Sequence, residues 1–81
     1  MTDVTLYSKD GCVKCKNTAR QLKKYGIDFT EHNISVDEDA KTFLLRESER
    51  LNVNTMPFVY VDGVFGWNDF RIDKIKCLVS A

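Results

Sequence analysis

The stretch Tyr7-Ser8-Lys9-Asp10-Gly11-Cys12-Val13-Lys14-Cys15 decides how the rest of this chain is read. A short β-prone run, Val4-Thr5-Leu6-Tyr7, leads into it and is ended by the turn formers Ser8, Asp10 and Gly11. From Val13 to Tyr25 the pattern is helical, with Cys15, Ala19, Leu22 and Gly26 on one face and Lys and Arg on the other. Two close cysteines therefore stand where a loop after a strand becomes a helix. Free N–H groups and the dipole at a helix start stabilise an anion. Cys12, at or just before the first turn, feels this most, and Lys9 and Lys14 add positive charge. Cys12 is expected to have a lowered thiol pKa, to be the more exposed sulfur and to attack a substrate disulfide. Cys15, one turn on, is expected to face inward and to resolve the mixed disulfide. The spacing permits a Cys12–Cys15 disulfide.

Outward from this stretch, Lys23 and Lys24 in the last turn and Gly26 beyond it form a helix stop. Asp28 to Ile34 reads as a second strand, with Phe29 and Ile34 inward. Ser35-Val36-Asp37-Glu38 matches a capping box, and Asp37 and Asp39 add favourable charge to the helix start. Ala40, Phe43, Leu44 and Leu51 continue an apolar stripe that Asn52-Val53-Asn54-Thr55 breaks. Phe58-Val59-Tyr60-Val61 and Val64-Phe65 flank Asp62-Gly63, a preferred two-residue hairpin turn. Asn68 is placed to cap a last helix in which Ile72, Ile75, Leu78 and Val79 share a face. The order β-α-β-α-β-β-α, with no linker or repeat, predicts one α/β domain over residues 1–81. A mixed sheet with one parallel and one antiparallel hairpin pairing accommodates it.

At 81 residues the core is marginal, so most apolar positions must serve packing. Lysine and arginine equal aspartate and glutamate at 12 each, which predicts no bulk attraction to nucleic acid or to an anionic membrane. The charge is uneven, basic over residues 9–24 and acidic over 28–49. Met1-Thr2-Asp3-Val4 shows no signal peptide and no apolar run reaches membrane-spanning length, so a cytoplasmic protein is expected; a monomer is the separate expectation for its assembly. Three cysteines argue against a secreted disulfide framework. A metal half-site completed by Cys77 and His32 lacks a second Cys-x-x-Cys or His-x-x-His knuckle, so no metal is expected. Pro57 opens a strand after Asn54-Thr55-Met56, a position open to trans or cis. A cis bond would set the Met56 backbone beside the cysteines, free to pair with an extended substrate segment.

With these residues placed, the chain resembles the glutaredoxin family of the thioredoxin superfamily over essentially its whole length, and within it the NrdH-type redoxins. The matching landmarks are Tyr7 to Cys15, Thr55-Met56-Pro57, and Gly66-Trp67-Asn68-Asp69-Phe70-Arg71-Ile72-Asp73. The resemblance implies a thioredoxin-like fold, a four-stranded mixed sheet flanked by three helices. It also implies Cys12 as nucleophile, Cys15 as resolving thiol, Pro57 in the cis form, and no bound cofactor beyond the Cys12–Cys15 disulfide. Val13-Lys14 is close to the Val-Gln that NrdH-type proteins carry between their cysteines, where ordinary glutaredoxins place Pro-Tyr. Trp67, Phe70, Arg71 and Asp73 match the NrdH pattern Trp-Ser-Gly-Phe-Arg-Pro-Asp, with Ile72 in place of proline. In that subfamily the tryptophan and arginine close the sheet end and leave no good glutathione groove.

Other landmarks are similar to glutathione-using members. Thr55-Met56-Pro57 looks like their Thr-Val-Pro, whose middle residue holds the tripeptide. Asn68 and Asp69 fall where they bind its γ-glutamyl end, and Lys9 where they meet its glycine carboxylate. The NrdH-type resemblance implies reduction by thioredoxin reductase and delivery of electrons to a ribonucleotide reductase, typically class Ib. The other implies glutathione as reductant and action on protein and mixed disulfides. Cluster-binding glutaredoxins rely on one cysteine, whereas this chain keeps both. The inter-cysteine pair and the tryptophan motif are the more specific signals, so the NrdH-type reading is the expectation. Plainer readings stand beside these: Lys14 solvated, Trp67 as packing, Cys77 as a small buried hydrophobe, His32 solvated and Asp69 as a charge near a helix start.

Overall fold

The computed structural model describes residues 3–80. Along the chain run β1 (Val4–Ser8), α1 (Val13–Lys24), β2 (Phe29–Asn33), α2 (Glu38–Leu51), β3 (Phe58–Val61), β4 (Val64–Asn68) and α3 (Ile72–Ser80), the expected order. The four strands lie in the order β2-β1-β3-β4. β1 runs parallel to β2 and antiparallel to β3, and β3 and β4 form the hairpin. This is the thioredoxin-like arrangement that the resemblance implied.

Alternation along β1 divides the interior. Val4 and Leu6 point to one face, where they meet Leu22 of α1, Val59, Trp67 and Ile75 of α3. Tyr7 points to the other, where Phe58, Tyr60, Met56 and Leu44 of α2 pack with Cys12 and Cys15. On this second face the rings of Tyr7, Phe43, Tyr60, Phe65 and Phe58 pack as neighbouring pairs, at centroid distances of 5.3–5.9 Å. Tyr60 closes the far side by donating its hydroxyl to Glu47 Oε1 at 2.7 Å.

Local signals explain most element ends. After α1 the Ile27 N–H returns to Leu22 O and the Gly26 N–H to Lys23 O, a Schellman closure that needs the left-handed φ of +71° at Gly26. Asp62 and Gly63 both take positive φ, 53° and 80°, as a type I′ hairpin turn requires. Asn52 ends α2 in the left-handed region.

Four readings are corrected. Asp37, not Ser35, caps α2, its carboxylate accepting from the Ala40 N–H at 3.1 Å; Ser35 instead accepts from the Asp10 N–H. Asn68 ends β4 rather than capping α3, because the strand pairs three residues further than the apolar pattern indicated. Thr18, which the apolar face of α1 did not include, is also fully buried, its hydroxyl satisfied by Lys14 O at 2.8 Å. Cys77 and Val79 are exposed, lying off the Ile72–Ile75–Leu78 stripe that faces the sheet. His32 is half-buried rather than solvated, stacked on Tyr7 at 5.4 Å.

Gly66 also redirects the sheet. Val59 pairs with Trp67 but Tyr60 pairs with Phe65, so Gly66 is the extra residue of a β-bulge. Two side chains two residues apart would otherwise share a face. The bulge sends Phe65 to the aromatic face and Trp67 to the α1/α3 face.

Candidate active site

Sheet register brings three separate segments to one end of the molecule. Tyr7 pairs with Phe58, and Phe58 pairs with Asn68. The loop after β1, the turn before β3 and the segment after β4 therefore meet there. The first carries the cysteines, the second Thr55-Met56-Pro57, the third Asp69.

Cys12 is the N-cap of α1, and its Sγ accepts from the Cys15 N–H at 3.1 Å. A sulfur in this position receives a free helix-start donor and the positive end of the dipole. Cys12 and Cys15 are joined as a disulfide, with their Cα atoms 5.2 Å apart. Cys12 is the more exposed, as expected, but only 8 % against 3 % for Cys15. The expected surface sulfur is thus met in order and not in degree: each sulfur is turned toward the other, and Met56 packs in the same cluster. The Met56–Pro57 peptide is cis, and both residues are buried.

Hydrogen bonds knit the second and third segments. Asp69 donates its N–H to Pro57 O at 3.0 Å, and the Asn68 amide donates to Thr55 O at 3.2 Å. Asp69 has a φ of +70°. Its Oδ1 accepts from the Phe70 N–H at 2.7 Å and from Lys14 Nζ at 2.9 Å. The Lys14 ammonium, and then the Phe70 N–H, hold the Asp69 carboxyl below the usual carboxylate range. The residue between the cysteines is thereby tied to the residue after β4.

Lys9 stands at the rim of a groove of about 210 Å³ beside Met56, Phe58, Ile34, Leu44 and Lys41. Trp67 is 6 % exposed and sits in the other core, with its indole N–H unpaired among the described residues. Of the expected site residues, the structure gathers Cys12, Cys15, Thr55, Met56, Pro57, Asn68 and Asp69, sets Lys9 alongside, and keeps Trp67 apart. Sequence reading overlooked Lys41 and Leu44 in the groove and the Lys14–Asp69 pairing. Opposite charge was its only signal, since the two residues meet through the sheet. Among the described residues, no three or more His, Cys, Asp or Glu side chains converge as a metal site.

Comparison with known proteins fits this geometry. The glutaredoxin profile matches residues 4–65. The chain belongs to the glutaredoxin family. This glutaredoxin is 31% identical over 78 residues to the glutaredoxin-like protein NrdH of Escherichia coli K12, covering 96% of this chain and 90% of that one. It is equally identical, over 75 residues, to NrdH of Salmonella typhimurium, covering 93% and 86%. The solved NrdH-redoxin of Escherichia coli, described as having a thioredoxin-like activity profile, superposes with a TM-score of 0.78 at 28% identity, covering 94% and 93%. Like other members of its family, this glutaredoxin is a thiol–disulfide oxidoreductase, and a reversible Cys12–Cys15 disulfide is the chemistry its site offers.

Proposed function

We propose that this glutaredoxin works as an NrdH-type redoxin: a cytoplasmic monomer, re-reduced by thioredoxin reductase, that passes electrons to a ribonucleotide reductase. Cys12 is the nucleophile. Its thiolate attacks one sulfur of the substrate disulfide, forming a mixed disulfide and releasing the other sulfur as a thiolate. Cys15 then loses its proton and attacks Cys12 Sγ. The mixed disulfide breaks, the substrate leaves with two thiols, and the Cys12–Cys15 disulfide carries away the oxidising equivalents. The observation that carries this reading is Cys12 Sγ at the α1 N-cap, accepting the Cys15 N–H at 3.1 Å, a site that favours the anionic sulfur. An extended substrate segment is received along Met56 and Pro57.

The choice of reductant draws on Asn68 and Asp69, the pair that glutathione-using members turn toward the tripeptide. Here the Asn68 amide is bonded to Thr55 O and the Asp69 carboxylate to Lys14, which supports the thioredoxin-reductase reading, as does the similarity to NrdH proteins. One observation favours glutathione instead. The groove beside Met56 has Lys9 and Lys41 in its lining, two cations suited to a carboxylate. The deciding assay compares the two reductants. Rapid turnover with NADPH and thioredoxin reductase, and slow turnover with glutathione and glutathione reductase, is the expected result. The reverse overturns the proposal.

A further inference from the structure

We infer that Asp69 is a positioning residue that withholds the Lys14 ammonium from the Cys12 sulfur and so sets the balance between disulfide and dithiol. This rests on the proposed dithiol function. Lys14 lies two residues after Cys12 and one before Cys15, on the first turn of α1. Its ammonium is held by Asp69 at 2.9 Å. Asp69 is itself fixed on two sides, by its N–H to Pro57 O and by the Phe70 N–H on the same Oδ1 that holds Lys14.

The competition arises on reduction. The disulfide carries no charge, so Lys14 has no anion to meet at the sulfurs. Two electrons and two protons convert the disulfide to two thiols, and ionisation of Cys12 places a new anion at the helix start. Lys14 then stands between two anions, one of them anchored. Whatever share Asp69 keeps is lost to the thiolate, which lowers the stability of the reduced form. Other charged side chains carried by the elements that meet here are Lys9 and Asp10 before α1, Lys16 on α1 and Arg71 after β4; these are common to all the variants below. The Lys14 and Asp69 side chains are 54 % and 42 % exposed, so solvent screens the pair and the effect is moderate.

Asp69→Asn tests this with little risk to the fold, since asparagine tolerates a positive φ and its carbonyl accepts from the Phe70 N–H. The potential is read by equilibration with dithiothreitol, whose two thiols close to a cyclic disulfide as the protein disulfide opens to two thiols. The expected result is a shift of about threefold toward the dithiol, about 14 mV less negative for a two-electron couple. The pH profile of Cys12 alkylation should move to lower pH as well. Lys14→Gln should alter potential and profile little with Asp69 present. In the Asp69→Asn background it should cancel the gain. An Asp69→Asn protein with unchanged potential and profile overturns the inference. So does an Asp69→Asn shift of equal size in the Lys14→Gln background, which would mean that Asp69 acts by its own charge. A large effect of Lys14→Gln alone overturns it independently of the Asn variant. A wild-type pair that exchanges no electrons with dithiothreitol would instead remove the dithiol function beneath it.

Discussion

The two faces of the sheet are built from different materials. Beneath α1 and α3 lie Val4, Leu6, Leu22, Val59 and Ile75, each at most 1 % exposed, with the buried Trp67 among them and Tyr25, Phe29 and Phe70 packed at the edge. Beneath α2 lie Phe58, Tyr60, Met56, Leu44 and the two sulfurs, joined by half-exposed rings and by the Tyr60–Glu47 hydrogen bond. The first face removes aliphatic surface from water and offers no reactive atom. The second gives up some burial to keep polarizable and hydrogen-bonding groups around a disulfide at the sheet's end. A chain of this size has little stability to spare, and separating the two tasks lets a change on one face leave the other working.

Substitutions can break that separation in order of size. Cys12→Ser should abolish disulfide reduction, measured with insulin, while leaving thermal stability under reducing conditions nearly unchanged. Cys15→Ser should instead accumulate mixed disulfides with protein substrates, visible by mass spectrometry; normal product release from that variant would refute the dithiol mechanism. On the opposite face, Leu22→Ala or Ile75→Ala should cost about 2–5 kcal/mol in denaturant unfolding through the cavity left behind, with activity per folded molecule retained.

Gly66→Ala sharpens the comparison where the faces exchange strand residues. A Cβ there would lie 3.1 Å from Val59 O and 3.3 Å from Val61 Cγ2, so backbone must move. The expected loss is about 1–3 kcal/mol, the range for overpacking, read from chemical denaturation.

The smallest effect is expected at Tyr60→Phe, which should cost about 1 kcal/mol at neutral pH by removing one hydrogen bond. Arg50 first and then Tyr60 lower the Glu47 pKa from 4.5 to about 2. A depressed carboxyl pKa means that the folded state favours the charged form. Its contribution is therefore full above about pH 4.5 and fades as pH falls toward 2. Tyr60→Phe should flatten that acid limb in a melting series, and an unchanged limb would assign it to other carboxylates.

Much of this was legible because the relevant forces are local. Gly26 after Lys23-Lys24, Asp62-Gly63 between β-prone runs, and Cys12 ahead of an amphipathic helix each act within a few residues, and each was readable directly. The cap of α2 was read at Ser35 instead of Asp37 because the two offer the same local chemistry, and the choice turned on Ser35 accepting from Asp10 across the loop. That Trp67 and Phe65 face opposite ways was not written in the sequence, since the bulge at Gly66 that parts them is defined by the partner strand. The burial of Thr18 was not legible, because it depends on what packs above the residue.

From sequence alone came the element order, the hairpin, the cysteine pair at a helix start and the family resemblance, all written in periodicity, turn chemistry and motif spacing. Tertiary structure decided the rest: that β1 pairs with β3 and so joins the two halves of the sheet, that Thr55-Met56-Pro57 and Asp69 meet the cysteines at one sheet end, and that Lys14 is held by Asp69. Such contacts join residues far apart in the chain, and their geometry exists only once the sheet has set its register.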